Sequence, residues 1–238
     1  MRVLPIASSS KGNAYVVEQD GAAILIDCGV SCRCLKAACD LTHLCGVLVT
    51  HNHVDHVSGL KRLLNCVDVP VFANEMTAEA VAWQEKVDEN AFVRFENGQP
   101  FEVGPFLVAP FSIPHDAADP VGYLIREGDS ALFVCTDLGE PTYGVRDALA
   151  AATCAVLEFN HDPVLLETSR RAPSLKRRIA GRSGHLSNGQ AADLLRDAAP
   201  ARLRALLLAH VSGECNEPSR AVAEARAALG EIGLPSVT

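Results

Sequence analysis

The chain has 238 residues, of which 48% are hydrophobic and 21% are charged, and its formal net charge is −8. This length fits one large domain or two small ones with a substantial buried core, and no segment reaches the roughly 18 consecutive apolar residues of a membrane span. An acidic total does not favour a polyanionic partner, although the distribution of charge matters more than its sum. The N-terminus leads from Met1 directly into an expected strand without a secretory leader, so we expect a cytoplasmic protein.

The first part of the chain is expected to be rich in strands. Alternating apolar positions and β-branched or aromatic residues predict strands over 2–7, 13–19, 22–26, 46–50, 69–73, 91–95, 106–113, 121–126 and 131–136. Helices are expected over 31–40, 58–64 and 75–87. The Asp20-Gly21 pair between two of these strands is a typical hairpin turn.

The second part alternates more regularly between strands and helices. Strands are expected over 153–158 and 203–209, and helices over 174–179, 188–198 and 218–229, where Pro218 suits a first helical turn. The chain has no low-complexity run, repeat or linker, so we expect a single domain over 1–238. Periodicity alone indicates only a mixed α and β protein.

Nine cysteines without a secretion signal indicate reduced thiols rather than a disulfide framework. Four of them, Cys28, Cys32, Cys34 and Cys39, lie within twelve residues. This cluster is either a structural zinc site or a helix in which cysteine serves as a small apolar residue. The spacing lacks paired Cys-x-x-Cys units, which favours the helix.

One segment of this acidic chain is basic. Arg170–Arg182 contains six arginines and lysines and no acid. The segment is either a solvated helix face or a surface that binds phosphate groups, and composition alone does not separate the two.

The segment Thr50–His56 carries the densest group of chemically active side chains. His51, His53, Asp55 and His56 lie within six residues, directly after an apolar run. A strand that ends in such a loop directs several imidazoles and a carboxylate toward one point, and these ligands suit zinc and its first-row neighbours. The segment therefore predicts a metal site.

Three more potential ligands follow predicted strands. His115 follows strand 106–113, Asp137 follows 131–136 and His210 follows the apolar end of 203–209. Loops at strand ends often carry functional residues. A single histidine is usually an ordinary structural residue, but the regular placement of these three beside the cluster supports a joint role.

The pattern His-x-His-x-Asp-His resembles the signature of the metallo-β-lactamase superfamily. The resemblance implies an α/β (α+β) fold, a four-layer αββα sandwich in which two mixed β-sheets are flanked by helices. It also implies two divalent metal ions, with His51, His53 and His115 on the first, Asp55, His56 and His210 on the second, and Asp137 between them. Two such ions activate water as a hydroxide and clamp the oxygens of an in-line displacement.

Two further expectations concern the metal site. Asp27 matches the first superfamily motif and is expected to orient the ligands through hydrogen bonds, while a helix cap is a compatible role for it. A carboxylate at position 53 would suit a diiron oxidoreductase, whereas the histidine found there favours zinc or manganese and hydrolysis.

Segments outside the metal motif are similar to the YycJ/WalJ branch of the superfamily. They are Ser8–Asn13, Pro114–Tyr123, Leu157–Asp162, Leu175–Ile179, Gly184–Asn188 and His210–Ser212. The resemblance implies a phosphodiesterase that acts as a 5′-to-3′ DNA exonuclease. Cys215 and Cys28 depart from the branch pattern without removing a metal ligand.

Within this branch, two residues beyond the metal ligands gain expected roles. His185 would donate a proton to the departing oxygen, and Glu158 would fix its tautomer. Asp55 is expected to be needed for catalysis as well as for metal binding. The basic segment precedes His185, so phosphate groups are expected to contact Lys176, Arg177, Arg178 and Arg182.

Two alternative functions stay open. A hydrolase of small carbonyl substrates, such as thioesters or lactones, would use the same metal site without the basic segment. A non-catalytic nucleic-acid-binding module would keep the fold, but the complete ligand set counts against it.

Overall fold

The computed structural model describes all residues from Met1 to Thr238. Contacts along the chain divide it into two compact units. Unit 1 comprises Met1–Pro110 and Ala117–Val121, and unit 2 comprises Phe111–Asp116 and Gly122–Thr238. None of the helices has the length and apolar character needed to cross a membrane.

The first sheet has six strands in sequential order. They are β1 (Arg2–Ser9), β2 (Gly12–Gln19), β3 (Ala22–Ile26), β4 (Leu44–Leu48), β5 (Val71–Asn74) and β6 (Phe92–Phe95). The first three strands pair antiparallel, and β3 to β6 are parallel neighbours. Parallel neighbours end at the same edge of the sheet, which places the residues after β3 and β4 side by side.

Unit 1 contains four short helices, namely α1 (Cys32–Ala38), α2 (Val54–Val57), α3 (Leu60–Leu64) and α4 (Glu75–Glu85). The Ser31 and Asn74 side chains cap α1 and α4. The expected helix 58–64 corresponds to α3, which begins two residues later, at Leu60. Helix α2, which Gly59 separates from α3, was not predicted. The Gly59 amide donates to the Cys28 carbonyl at 2.8 Å, and a Cβ at position 59 would lie 1.8 Å from the Val30 oxygen.

The second sheet also has six strands. They are β7 (Phe101–Val103), β8 (Phe106–Ser112), β9 (Val121–Glu127), β10 (Ser130–Cys135), β11 (Cys154–Glu158) and β12 (Ala205–Ala209), in the order β12-β11-β10-β9-β8-β7. Strand β9 is antiparallel to β10, whereas β10, β11 and β12 are parallel. The carboxyl ends of these three parallel strands therefore lie at one edge.

Unit 2 contains the remaining helices, which are α5 (Tyr143–Ala150), α6 (Pro163–Thr168), α7 (Pro173–Ile179), α8 (Asn188–Ala198) and α9 (Pro218–Glu231). Helix α8 begins with a capping box between Ser187 and Gln190. The strands and helices predicted for the second part of the sequence occur here, with ends shifted by one or two residues.

Four of these strands and helices were absent from the sequence prediction, namely α2, β7, α5 and α6. Strand β7 has only three residues, too few for a periodic signal. Helices α5 and α6 do carry local signals, because Thr142 and Asp162 cap them and Pro163 occupies the first turn of α6. Because α5 has only eight residues and α6 only six, neither shows a clear helical periodicity of apolar residues.

The cysteine cluster forms a helix rather than a metal site. Cys32 and Leu35 form the buried side of α1, and no cysteine belongs to a group of side chains close enough to hold a metal ion. All nine cysteines are free thiols. Burial, and then the charge of Asp27, raise the pKa of Cys28 to about 12, so this thiol is unreactive.

A close backbone approach fixes α2 against the loop that follows β3. The Cys28 amide donates to the His56 carbonyl at 2.7 Å, and a Cβ on Gly29 would lie 1.6 Å from the Asp55 carbonyl oxygen. Only glycine permits this contact at position 29.

We expect Gly29→Ala to lower the free energy of unfolding by about 2–3 kcal/mol, because the new methyl group must displace backbone. Urea denaturation monitored by circular dichroism measures the change. The matched control is Gly189→Ala, since a Cβ there meets nothing within 4 Å and should be neutral or slightly stabilising. Equal stability of the two variants would contradict the close approach.

Candidate metal centre and catalytic pair

Unit 1 presents its donors at the ends of β3 and β4. Asp27 directly follows β3, and Thr50 and His51 follow β4. His53 is the N-cap of α2, and Asp55 and His56 lie within that helix. The ring centroid of His51 lies 4.6 Å from that of His53 and 4.1 Å from that of His56, so the three predicted histidines are brought together.

Asp27 holds two of these histidines through a chain of hydrogen bonds. Its carboxylate accepts from the Thr50 amide at 2.8 Å, from the Thr50 hydroxyl at 2.8 Å and from His56 Nδ1 at 2.7 Å. Because the Thr50 hydroxyl donates to Asp27, its oxygen accepts from His51 Nδ1, 2.9 Å away. Both imidazoles therefore carry their proton on Nδ1 and their lone pair on Nε2, the form that binds metal.

Asn13 is a supporting residue that sequence reasoning missed. Its side chain is fully buried, and its amide nitrogen lies 2.9 Å from His56 Nε2 and 3.1 Å from Asp55 Oδ2. A buried polar side chain needs partners, but the burial of Asn13 is apparent only in the folded chain.

Unit 2 presents its donors at the ends of three parallel strands. Asp137 follows β10, Glu158 is the last residue of β11 and His210 follows β12. Asp137 and His210 have φ values of 60° and 53°. Such left-handed conformations are rare for residues other than glycine and often mark functional positions.

Glu158 is the centre of this group. Its Oε1 accepts from His185 Nδ1 at 2.8 Å and from His210 Nδ1 at 3.0 Å, while Oε2 accepts from the amides of Leu138 and Leu186 at 3.0 and 3.1 Å. Burial by itself would raise its pKa, but the charge of His185 and the hydrogen bonds from His185 and His210 lower it to about 2. Glu158 is therefore an ionised acceptor that orients both rings.

His185 is the least buried histidine of this group, with 18% of its side chain exposed. Burial lowers its pKa, but the charge and hydrogen bond of Glu158 outweigh burial, and the net shift is upward. With Nδ1 bound to Glu158, the ring presents Nε2 as its second nitrogen. The predicted pairing of Glu158 with His185 is thus present in the structure.

His115 is oriented by backbone. Its Nδ1 lies 3.0 Å from the carbonyl oxygen of Gly184, and since a carbonyl only accepts, the proton must lie on Nδ1. Its Nε2 is 3.9 Å from Asp137 Oδ1 and 3.5 Å from Asp116 Oδ1.

Asn160, a second residue missed by sequence reasoning, donates to the His210 carbonyl at 2.9 Å.

Some residues of the basic segment form ion pairs with carboxylates, and others do not. Arg178 forms a two-point pair with Asp116, and Arg182 forms one with Glu140 at 2.8 Å. The ammonium group of Lys176 donates a hydrogen bond to the backbone carbonyl of Glu167. Arg177 is exposed and has no ion pair. Much of the local positive charge is therefore already compensated by neighbouring carboxylates.

The donor chemistry fits divalent metal ions. In unit 2, one ligand atom from each of Asp137, Glu158, His185 and His210 lies within 4.8 Å of the others. Five imidazoles donate to an acceptor through Nδ1 and so leave Nε2 as the nitrogen with a lone pair or a second proton; they are those of His51, His56, His115, His185 and His210. Nitrogen and carboxylate oxygen are suitable ligands for zinc and manganese.

Strand-end histidines and carboxylates on two mixed sheets define the class of metal-dependent hydrolases with the metallo-β-lactamase fold. The chain belongs to this superfamily, because the family described as Beta-lactamase superfamily domain matches residues 22–210. The metallo-β-lactamase fold protein YhfI from Bacillus subtilis aligns with a TM-score of 0.74 at 17% identity, over 95% of this chain and 92% of that chain. The predicted fold class is confirmed.

Within the superfamily the chain belongs to the YycJ/WalJ-like branch. It is 32% identical to exodeoxyribonuclease YycJ of Bacillus anthracis, over 96% of this chain and 89% of that protein. It is 29% identical to exodeoxyribonuclease WalJ of Streptococcus pneumoniae, over 89% of this chain and 81% of that protein. The family resemblance predicted from the sequence is confirmed.

We expect Asp27→Asn to weaken binding of Zn²⁺ by about 10–100-fold, because the variant loses the charge that holds His56 and, through Thr50, His51. Asparagine tolerates the positive φ of 57° at this position, so the fold should be kept. Competition with a chromophoric chelator measures the affinity. Asp68→Asn, at an exposed position, is the control, and unchanged affinity in both variants would contradict the role of Asp27.

Proposed function

We propose that this protein is a metal-dependent phosphodiesterase that degrades DNA from the 5′ end. The observation that carries the proposal is the buried Glu158 with His185 on one carboxylate oxygen, set beside Asp137 and His210. This arrangement supplies a positioned acid next to metal ligands. The names of the YycJ and WalJ relatives, which describe exodeoxyribonucleases, support DNA as the substrate.

We further propose that the predicted ligands bind two divalent ions, zinc or manganese. These ligands are His51, His53, Asp55, His56, His115, Asp137 and His210. When bound, such ions lower the pKa of water and stabilise the charge that develops on a phosphodiester. The family match runs through both units, which supports a single functional domain over residues 1–238.

The chain's own residues perform the remaining steps. Asp27, Gly184 and Glu158 hold the imidazoles in one tautomer, so the donors need no rearrangement during reaction. Protonated His185 gives the proton on Nε2 to the departing oxygen, and Glu158 stabilises the charged ring before that transfer. The charge and hydrogen bond of Glu158 outweigh burial and shift the pKa of His185 upward, which favours the protonated ring.

Four residues of the basic segment, Lys176, Arg177, Arg178 and Arg182, are proposed to bind phosphate groups of the substrate. Lys176, Arg177 and Arg178 lie on α7, and Arg182 follows the helix. Because Arg178 and Arg182 already pair with carboxylates, Arg177 and Lys176 supply most of the available charge. A cytoplasmic location is also proposed, since nine free thiols suit a reducing compartment.

Digestion of end-labelled DNA tests the reaction. Metal-loaded protein should release labelled mononucleotides from the 5′ end of linear DNA and leave circular DNA and RNA intact. Asp55→Ala removes a predicted ligand and is the inactive control. Cleavage of circular DNA would indicate an endonuclease, and turnover of a thioester without cleavage of nucleic acid would replace the proposal by a small-carbonyl hydrolase. Binding of DNA without cleavage under Zn²⁺, Mn²⁺ and Mg²⁺ would indicate a non-catalytic module.

We expect His185→Gln to lower kcat on DNA by about 10²–10⁴-fold, the usual contribution of a positioned proton donor. Metal content, measured by plasma mass spectrometry, should stay that of the unaltered protein. A DNA substrate with a sulfur leaving group needs no protonation, and on it the variant should regain most of the loss. If the sulfur substrate is equally slow, His185 does not act as the acid.

A further inference from the structure

A cavity of about 330 Å³ lies between α6 and α7 in unit 2. Its lining comes from the loop after β11, from α6 and from α7, and contains none of the predicted metal ligands. The residues that matter for its chemistry are His161, Leu166, Glu167, Pro173, Lys176 and Arg177. The cavity combines an imidazole, apolar walls and two cations.

His161 lines this cavity and also carries a buried polar atom without a partner. The residue is 3% exposed, and its Nδ1 is buried without a hydrogen-bond partner. Burial lowers the pKa of His161 to about 4, so the ring is neutral and offers either a donor or an acceptor. A buried polar atom without a partner is costly, so a small rotation of the ring toward a polar ligand in the cavity would be favourable.

Two cations border the same cavity. Lys176 is held by the Glu167 carbonyl, whereas Arg177 is exposed and has no ion pair. Arg178 and Arg182, by contrast, pair with Asp116 and Glu140. The uncompensated arginine of α7 is thus the one that lines the cavity, which indicates an anionic group on the ligand.

The walls and the volume indicate more than a bare phosphate. Leu166, Pro163 and Pro173 present apolar surface, and the volume falls at the small end of the range of about 300–1,000 Å³ found for small-molecule sites. The Glu167 carboxylate can accept a hydrogen bond from an exocyclic amine, as cytosine carries. A base against the apolar wall with its phosphate at Arg177 meets all of these features.

The cavity shares its backbone framework with the proposed proton donor. The Ile179 carbonyl at the end of α7 accepts from the His185 amide at 2.8 Å, and the His161 carbonyl accepts from the Asn188 amide at 2.9 Å. A ligand in the cavity would therefore be held at a fixed position relative to His185.

From these observations we propose that the cavity binds one nucleotide of a single DNA strand, with the base on the apolar wall beside His161 and its phosphate on Arg177 and Lys176. This rests on the proposed nuclease function and adds to it a subsite that positions the strand.

Two variants test the subsite, each with a matched control. Ala180→Phe fills the cavity from its exposed lining residue, and Ala172→Phe places the same ring on the exposed start of α7, outside the cavity. Arg177→Ala removes the uncompensated cation, and Arg170→Ala removes an exposed arginine that does not line the cavity.

Binding is measured first on metal-free protein, so that it does not depend on catalysis. Fluorescence anisotropy of a labelled oligodeoxycytidylate should show about tenfold weaker binding for Ala180→Phe, in line with the loss of one stacked base. Arg177→Ala should reduce the slope of log K against log salt by about 0.7, as for one lost phosphate contact on a single strand. Both controls should match the unaltered protein. Equal affinity of Ala180→Phe and Ala172→Phe would overturn the subsite.

Turnover then separates this proposal from the nuclease function. The ratio of kcat/KM on the oligonucleotide to that on methyl 4-nitrophenyl phosphate, a diester without a base, should fall about tenfold in Ala180→Phe. An unchanged ratio would also overturn the subsite. If the unaltered protein cleaves neither substrate, the nuclease function fails, while the anisotropy result still decides whether the cavity binds a nucleotide.

Discussion

The chemistry of this protein depends on acceptors that hold the Nδ1 atoms of its histidines. Asp27 binds His56 directly and His51 through Thr50, while Gly184 binds His115 and Glu158 binds His210. Asp27 directly follows β3, and Glu158 is the last residue of β11. Gly184 lies in a loop whose Leu186 amide donates to Glu158. A neutral imidazole has one protonated nitrogen and one basic nitrogen. When Nδ1 donates a hydrogen bond to one of these acceptors, Nε2 is therefore the basic nitrogen. The fold therefore determines which nitrogen can bind a metal before any metal is present.

The strand ends explain why so much of the site could be predicted from the sequence. His51, Asp137 and His210 follow apolar runs, and a run that ends in a polar residue is a local signal that needs no knowledge of the partner strand. The supporting residues have no such signal. Asn13, Thr50 and Asn160 act on groups 23 to 50 positions away in the chain, and only the folded arrangement shows those contacts. The short helices α5 and α6 were missed for a different reason, because two turns give too few repeats of the helical period.

Charge in the segment Arg170–Arg182 shows a second limit of sequence reasoning. Counting basic residues treats them as equivalent, yet ion pairs distinguish Arg177 from Arg178 and Arg182. The acids responsible, Asp116 and Glu140, are 62 and 42 positions away from their partners. Part of the basic segment is therefore already paired with carboxylates, while the remainder is available to a ligand. A net local charge consequently overstates the number of groups that can bind phosphate.

Asp27, Asp137 and His210 all have positive φ values, and this has a consequence for attempts to make the protein more heat-resistant. A left-handed conformation costs a residue other than glycine on the order of 1–3 kcal/mol, so glycine at these three positions would relieve strain. Each such change would also delete a side chain of the metal centre. Relief of backbone strain at these positions is therefore opposed by the loss of activity and, at Asp27 and His210, by the loss of buried hydrogen bonds. A gain in melting temperature is better engineered elsewhere in the chain.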